Sequence, residues 1–558
     1  MDLKKSWNKF ISEKPNQIFI GIFILGILLR IYYFWLTRSQ PLWWDESDYM
    51  AYAKTLAGVG NVQWEISPQH NSFLPFLVAL FFKFGFSEPV IKFILEIIPS
   101  IILIFLTYKV LLLMYKDSRI ALISSFLITV FWNVLFNSTR FHLGIPSMLF
   151  AFLGIYVFFQ GYEKREKIFG KINPDWAIPL AAFLMLVSYS IRKGYFLFGV
   201  FLFVYMFSTR NLKDLIKDKY NRIALIISVV TLFIIENFIF TSKITNVASS
   251  YYHPEISWSL DSFGVFGIYF NSLQNTIPTN ILTYFFWIGF LLLLGGFFFY
   301  FLSLKKNLSS ELKSDFFNLI SIILTLGFFI FILRINNSYW GHLAYDPRWF
   351  FPLLLASLAC ISKSLILLSD YLRKYHKQLG IILILLVLGI GGYTQIIHSD
   401  LIIKNKIPSY SGIREAGLFL KGISSKEDII ISVPVPQTAY YSERNVLGPN
   451  GFVNKSKEEN TLEDFLFQLR KNPNVKYIVV SFSEPNNPSW MRLEDSEYQL
   501  NPQTGQYVLT NWQIPFMDTK IDFVNQVQDI KQQKTYGEIT FKLLEINQDC
   551  FIYEILRQ

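Results

Sequence analysis

Three carboxylates occur close together near the start of the chain, directly after a long apolar run. Asp45, Glu46 and Asp48 lie in residues 41–49 (PLWWDESDY), and the two tryptophans before them are typical of a membrane interface. A carboxylate at such a surface can accept the proton of a reacting hydroxyl. Adjacent acids point in different directions, so one can act as the base while the other orients an arginine or a backbone amide. A solvated acidic loop is the alternative interpretation.

Basic residues near the ends of apolar runs form the second set of candidates. Arg140, Arg192 and Arg348 are predicted to lie on the same side of the membrane as the acids, where a guanidinium can bind a phosphodiester. Snorkelling to lipid headgroups is the alternative for each of them. Arg348 is the leading candidate because aromatic residues follow it directly. Tyr345 in the same loop and His70 before a short apolar helix complete the predicted substrate-binding set.

The elements that must position these residues are membrane-spanning helices. The 558 residues are 52% hydrophobic, 18% aromatic and only 16% charged, whereas a soluble globular protein has about 25% charged residues. Apolar runs of about 18 or more residues recur, and in hydrocarbon only helices satisfy every backbone amide within their own segment. The sequence predicts a mainly α, polytopic bundle of about eleven spans, near 18–37, 89–113, 120–136, 145–161, 176–190, 195–208, 223–241, 280–303, 316–333, 350–368 and 379–397.

The distribution of cations predicts the orientation of the bundle. If the N-terminus is cytoplasmic and residues 71–86 lie along the interface, the inner loops hold many more Lys and Arg than the short outer loops. The net charge of +10 is therefore explained by orientation, and it predicts no nucleic-acid partner. We expect a multi-pass protein of the cell membrane whose basic N-terminus leads into an uncleaved signal anchor.

The composition changes near residue 400, where charge rises and apolar runs shorten. We predict a transmembrane domain over 1–398 and an extracytoplasmic α/β domain over 399–558, with helices at 412–422 and 462–471. Its strands are predicted at 428–434, at 475–482 and as a pair within 539–556. Residues 440–444 (YYSER) suggest either a lid contact or the first turn of a helix. No glycine-rich phosphate loop opens a helix here, so the sequence predicts no nucleotide site.

Two further patterns concern buried charge and metals. Glu236 lies inside the seventh predicted span, and we expect a structural pair with Arg30 of the first span rather than a catalytic role. The two cysteines, Cys360 and Cys550, form no CxxC or Cys/His cluster. The sequence accordingly predicts no metal site and no cofactor.

Taken as an ordered set, these motifs resemble the GT-C glycosyltransferases. The resemblance is to the group that uses polyprenyl-phosphate sugars and includes protein O-mannosyltransferases and the bacterial aminoarabinose transferase of lipid A. It covers roughly residues 18–398, with the C-terminal part similar to the outer α/β domain of many prokaryotic members. The residues that carry it are Asp45-Glu46, His70 with Pro75, Ser138-Thr139-Arg140 and Asp346-Pro347-Arg348-Trp349.

The resemblance implies a fold, a reaction and a set of roles. Asp45 would be the base, Glu46 its partner, Arg140 the organiser of the acidic pair and Arg348 the contact to the donor phosphate. The reaction would be inverting transfer of a sugar from a dolichyl or undecaprenyl phosphate to a protein, lipid or glycan acceptor on the outer face. Membrane lipids are the other expected partners.

This sequence departs from the family pattern at two places. Residues 70–72 read His-Asn-Ser where the mannosyltransferases have His-Pro-Pro. The acid often found after the arginine of the second outer loop is missing, because residues 144–146 read Gly-Ile-Pro. Oligosaccharyltransferases use such a second acid for metal, so its absence argues against a metal site.

Two other functional classes are compatible with a polytopic membrane chain. A secondary transporter or lipid flippase is the main alternative, but such proteins tend to show paired repeats and broken helices near the midplane. The sequence shows no such halves, and its conspicuous acids lie at the predicted surface. A non-catalytic scaffold that presents the C-terminal domain is the third possibility.

Overall fold

A computed structural model gives the architecture of the chain. The residues that it describes are 12–60, 62, 64, 72–240, 269–270, 280–302, 309–332, 347–454, 461–481, 488–491, 497–500, 507–513, 516–517, 520–522, 533–547 and 550–558. Two of the predicted substrate-binding residues, His70 and Tyr345, lie outside this part of the chain, as does Asp346.

Helices account for most of the described chain up to residue 406. They are α1 Lys14–Thr37, α2 Trp44–Ala57, α3 Leu74–Lys83, α4 Glu88–Tyr115, α5 Ser118–Val130, α6 Trp132–Ser138, α7 Gly144–Glu163, α8 Pro174–Ile191, α9 Lys193–Thr209, α10 Leu212–Lys217, α11 Lys219–Ile239, α12 Ile281–Leu302, α13 Ser310–Leu326, α14 Arg348–Arg373 and α15 Lys377–Lys406. The remaining described chain alternates α16 Ser411–Ile423, β1 Ile429–Ser432, α17 Val435–Ser442, β2 Asn445–Leu447, α18 Pro449–Val453, α19 Leu462–Lys471, β3 Val475–Ser481, β4 Glu497–Leu500, β5 Tyr507–Gln513, β6 Lys520–Asp522, β7 Gln533–Tyr536, β8 Ile539–Asn547 and β9 Cys550–Arg557.

Nine helices of the described chain are long and apolar enough to cross a membrane: α1, α4, α7, α8, α11, α12, α13, α14 and α15. They coincide with nine of the predicted spans and confirm the mainly α, multi-pass fold. The third predicted span is a pair, α5 and α6, bent by 51° at one residue, which raises the count to ten if the pair is one span. The sixth predicted span falls on α9, which is shorter than the others. The described part of the segment 71–86, residues 72–86, contains only the ten-residue α3, which is too short for a span of its own.

Side chains from two other helices satisfy the polar groups at the break between α5 and α6. Arg30 is fully buried, and its guanidinium donates to the carbonyls of Ile128 and Thr129 (3.3 and 3.1 Å) near the end of α5 and to Ser100 Oγ (2.7 Å). The Trp132 N–H that opens α6 donates to Oε1 of Gln395 in α15 (3.1 Å). The break is therefore built into the packed bundle, and it sends the chain after α6 into a buried loop.

The expected pair between Glu236 and Arg30 is wrong. Arg30 finds its acceptors in backbone carbonyls and a serine, as described above, whereas Glu236 accepts a hydrogen bond from the Tyr189 hydroxyl in α8. A carboxylate at membrane depth needs a donor, and a phenol on the neighbouring helix supplies it.

The chain forms two compact units. They are not divided at the predicted boundary between residues 398 and 399. One unit comprises Met1–Ser39, Asn71–Phe73 and Glu88–Lys406, and the other comprises Gln40–His70, Leu74–Ser87 and Ile407–Gln558. The boundary lies later because α15 runs on as one helix to Lys406. The second unit also takes α2 and α3 from the first loop, since α2 packs against α17.

The C-terminal part of the second unit is built on a mixed sheet of six strands in the order β2-β1-β3-β9-β8-β7. The strands β2, β1 and β3 run parallel, and β3, β9, β8 and β7 pair antiparallel. The predicted strands and helices of this region are confirmed, with α19 matching residue for residue. A separate three-stranded sheet, β4-β5-β6, was not predicted.

Alternation along the strands buries both faces of the larger sheet. In β1, Ile430 packs with α16 residues such as Ile413 and Leu420, while Ile431 packs with α19 residues such as Phe465. Residues that alternate along a strand point to opposite faces, so this sheet is the middle layer between two helical layers. Tyr440–Arg444 lies at the C-terminal end of α17, not at a helix N-terminus as one interpretation of the sequence had it.

Candidate functional site

The acidic residues belong to a helix, not to a loop. Helix α2 begins at Trp44, so Asp45 and Glu46 occupy its first turn. Glu46 is 1% exposed, and its Oε2 accepts the Trp43 N–H (3.1 Å), which caps the helix from within. Asp45 is only half-buried. Of the two acids, Glu46 therefore orients a backbone amide, and Asp45 is the less deeply buried one.

A third acid, Asp48, anchors the same helix through a hydrogen bond to a tryptophan. Asp48 is 2% exposed, and its Oδ1 accepts the indole N–H of Trp64 at 2.5 Å. Trp64 in turn packs against the core formed by α16 and the large sheet. Helix α2 ends at Gly58, whose φ of 67° lies in the left-handed region that glycine adopts without strain. The acid-bearing helix is thus capped at both ends and anchored through a buried tryptophan.

The predicted cations Arg140 and Arg348 belong to the other unit, where a histidine lies beside them. The loop after α6 carries Arg140 and His142, which are 1% and 4% exposed. Arg348, in the 3₁₀ turn that opens α14, places Nη1 2.6 Å from Nδ1 of His142 and 3.3 Å from its Nε2. A guanidinium has only donors, so the ring nitrogen that faces Arg348 is unprotonated and accepts.

The electrostatic surroundings of His142 agree with that geometry. Burial, followed by the positive charges of Arg348, Arg140, Arg192 and Lys92, lowers the pKa of His142 well below its usual value. The four charges act in one direction, so the imidazole stays neutral at physiological pH. A neutral ring in this position gives Arg348 a fixed partner without cancelling the positive potential of the cluster.

Arg192 is a further cation near these residues in the same unit. The Arg192 guanidinium lies 5.1 Å from the ring of Trp349 and 5.5 Å from that of Tyr195. The close approach of these side chains to the start of α7 favours glycine, because a Cβ on Gly144 would lie in tight contact, 3.3 Å from Arg192 Nη1. The N-terminus of a helix adds its own partial positive charge. Loops from three places in the sequence therefore converge on one electropositive region.

We call Lys92, Arg140, His142, Arg192 and Arg348 the cationic cluster. Arginine forks match the geometry of phosphate oxygens, and desolvated cations bind them with charge-assisted hydrogen bonds. Among the described residues, no group of three or more His, Cys, Asp or Glu is placed to hold a metal ion. The chemistry that the cluster supports is the binding of an anion.

Sequence reasoning found three members of this cluster and missed two. Arg140, Arg192 and Arg348 were singled out because they lie close to the ends of predicted spans. His142 stands two residues after Arg140 in the same loop, so a search of that loop for partners of the arginine would have found it. Lys92 donates to the Thr37 carbonyl at the end of α1 (3.3 Å), a contact that nothing in its local sequence indicates.

Two solved structures of membrane proteins are similar to this fold. AglB, the oligosaccharyltransferase of Archaeoglobus fulgidus, in complex with an inhibitory peptide and a dolichol-phosphate, is similar at a TM-score of 0.56 and 12% identity, covering 93% of this chain and 76% of that chain. ArnT from Cupriavidus metallidurans, bound to undecaprenyl phosphate, is similar at a TM-score of 0.51 and 10% identity, covering 96% and 97%. The chain has the GT-C fold.

The likeness to these GT-C proteins is one of structure. At identities of 10% and 12% it shows the fold alone. No protein-family model matches the sequence, and no curated protein matches it. The likeness nevertheless covers 93% and 96% of this chain, and it confirms the fold that the short motifs indicated.

Proposed function

We propose that this membrane protein is a glycosyltransferase that moves a sugar from a polyprenyl phosphate to an acceptor hydroxyl or amide. The observation that carries the proposal is the cationic cluster, in which the buried Arg140 and the half-buried Arg192 and Arg348 surround a neutral histidine. A lipid-linked phosphate is the anion that a multi-pass protein can draw from its own membrane. The two GT-C proteins compared above hold polyprenyl phosphates in their solved structures, one a dolichol-phosphate and the other undecaprenyl phosphate.

The proposed reaction needs one base and one site for the leaving group. The bond from the sugar C1 to the phosphate oxygen breaks, a bond from C1 to the acceptor oxygen or nitrogen forms with inversion, and the acceptor proton passes to Asp45. The polyprenyl phosphate leaves with its charge stabilised by Arg348 and Arg140. Glu46 is a positioning residue, because its carboxylate is occupied by the Trp43 N–H.

The proposal includes the orientation of the site. We infer that Asp45 and Arg348 serve the outer face of the membrane, with a cytoplasmic N-terminus. Nucleotide sugars are confined to the cytoplasm, so chemistry outside requires a lipid-linked donor. The phosphate leaving group is already activated, and electrostatic stabilisation by preorganised cations suffices without a nucleotide site. The sugar could be a hexose such as mannose or a pentose, and the acceptor a protein, a lipid or a glycan.

One experiment separates the two roles. In the purified protein reconstituted with a panel of polyprenyl-phosphate hexoses and pentoses, we expect Asp45→Asn to reduce transfer to host-membrane acceptors by about 10²- to 10⁴-fold, the range typical for loss of a general base. The same variant should bind polyprenyl phosphate as tightly as the parent. Arg348→Gln, in contrast, should weaken the affinity for polyprenyl phosphate.

Glu46→Gln is the matched control. A glutamine oxygen can still accept the Trp43 N–H, so we expect this variant to keep most of the transfer activity. Full activity in Asp45→Asn would remove Asp45 from the mechanism. Transport of polyprenyl-phosphate sugars across the bilayer without any transfer would favour the flippase alternative instead.

A further inference from the structure

The acid-bearing helix α2 is attached at both of its ends to α17, an element almost four hundred residues later in the chain. Before the helix begins, the Leu42 N–H donates to the Tyr441 hydroxyl at 2.8 Å. In its last turn, Lys54 Nζ forms an ion pair with Glu443 Oε1 at 2.9 Å and donates to the Tyr440 carbonyl at 3.2 Å. The Lys54 ammonium also lies 4.1 Å from the centre of the Tyr440 ring.

We propose that the C-terminal end of α17 holds the acid-bearing helix in place and that Lys54 and Glu443 position the Asp45 carboxylate for proton transfer. This inference rests on the proposed function of Asp45. It assigns to the C-terminal domain a part in catalysis, through a contact within one compact unit.

The burial of the Lys54–Glu443 pair is the first reason to give it weight. The two side chains are 13% and 15% exposed, so water and salt screen the pair far less than a surface ion pair. Burial raises the pKa of Glu443, but the hydrogen bonds from Lys54 and Lys421 outweigh it and hold the pKa below its usual value. The carboxylate is therefore charged across the working pH range, and removal of its partner leaves a poorly solvated charge.

The backbone at Glu443 is the second reason. Glu443 closes α17 with a φ of 53°, a left-handed conformation that glycine adopts at helix ends at no steric cost. A glutamate bears strain here, so its side chain must contribute something that glycine cannot. On the other side, a Cβ on Gly60 would lie 2.8 Å from Glu443 Cδ, which shows that the chain after α2 is packed directly onto this carboxylate.

The third reason is that Glu443 joins α2 to the core of the C-terminal domain. Its second oxygen, Oε2, pairs with Lys421 of α16 at 2.9 Å. One carboxylate thus receives a lysine from the acid-bearing helix and another lysine from the helix that packs on the large sheet. Helix α17 also packs directly against α16, so its attachment to the domain does not depend on Lys421. Lys54, in contrast, is the ion-pair contact of α2 itself, so a shift of α17 would carry the helix whose first turn bears Asp45.

These two lysines provide a test with a matched control. Lys54→Gln removes the contact that crosses to α2, whereas Lys421→Gln removes a contact to the same carboxylate from within the C-terminal domain. In the full-length protein we expect Lys54→Gln to lower kcat at least about tenfold with the KM for the polyprenyl-phosphate sugar unchanged, because small misplacements of a catalytic group are costly. Lys421→Gln should stay within about twofold of the parent, and Lys54→Arg should restore most of the activity.

A second measurement does not depend on transferase activity. Hydrogen exchange in the full-length protein in nanodiscs should show faster exchange of the α2 amides in Lys54→Gln than in Lys421→Gln. Equal exchange in the two variants would overturn the attachment itself. Faster exchange with an unchanged kcat would overturn the positioning role. Equal losses of kcat in both variants would also overturn it, because the Lys54–Glu443 pair would then only stabilise the fold. If Asp45→Asn remains active, the proposed base fails, while the exchange result still decides whether α17 holds the helix.

Discussion

At the scale of single residues, the feature that sets the chemistry of the cationic cluster is the protonation state of His142. Its ring accepts a hydrogen bond from Arg348, and four positive charges oppose its protonation. A protonated ring would lose the acceptor and repel the guanidinium that it holds. The direction in which Arg348 points is therefore linked to pH.

This linkage predicts a dependence of stability on pH. Because the pKa of His142 is lowered in the folded state, the unfolded chain binds a proton below pH of about 6.5 that the native state does not. Stability is then fully present above that pH and is lost as the pH falls, by up to about 1.4 kcal/mol per pH unit for one proton. Thermal unfolding between pH 8 and 5 should show that His142→Gln loses much of this dependence, since glutamine keeps an acceptor but does not titrate. The same substitution at exposed His376 should leave the dependence unchanged, and an identical pH profile in both variants would contradict the assignment.

The sequence predicted the residue types of the candidate site better than their partners. Asp45, Arg140, Arg192 and Arg348 could be named because charged residues at the ends of apolar runs are conspicuous. The contact of His142 with Arg348 joins residues 206 positions apart, and no local pattern encodes it. The capping role of Glu46 depends on where α2 begins, which the sequence did not define.

At the scale of elements, the break between α5 and α6 determines where the loop of Arg140 lies. Residues 130–132 read Val-Phe-Trp, with neither proline nor glycine, so the sequence favours one continuous span. The bend exists because Arg30 and Gln395 satisfy the backbone groups that a broken helix releases. Hydropathy is therefore enough to predict the span. The bend within it depends on contacts from α1 and α15, which hydropathy does not report.

The role of Gln395 can be tested directly. Its Oε1 accepts the Trp132 N–H, and its Nε2 donates to the Phe270 carbonyl at 2.7 Å. Gln395→Leu would leave both buried backbone groups without this partner, at a cost of about 1–3 kcal/mol for each unsatisfied group. We expect a lower apparent Tm in detergent and weaker binding of polyprenyl phosphate, because the loop after α6 loses its support. Gln378→Leu, at an exposed position of the same helix, is the control, and equal values of Tm in the two variants would show that the break does not depend on Gln395.

At the scale of the whole molecule, the C-terminal domain is joined to the first loop more closely than the order of the sequence suggests. The change of composition near residue 400 predicted a separate domain from that point on, and the strands β1, β3, β8 and β9 lie where apolar runs of strand length predicted them. Composition did not indicate that α2 and α3 belong to the same compact unit, because that assignment rests on contacts between residues such as Lys54 and Glu443, 389 positions apart. The proposed base and the C-terminal domain must consequently be considered together.

The orientation of the chain in the membrane is the last prediction, and it follows from where the cations lie. Lys167, in the basic loop between α7 and α8, is expected to be cytoplasmic by the positive-inside rule, and Lys426 belongs to the domain expected outside. Both lysines are exposed, and both native cysteines, Cys360 and Cys550, are buried, so introduced cysteines should dominate labelling. In intact cells a membrane-impermeant maleimide should modify Lys426→Cys, whereas Lys167→Cys should react only after permeabilisation. The opposite pattern would place the base on the cytoplasmic face, where nucleotide sugars are available, and would remove the reason for a lipid-linked donor.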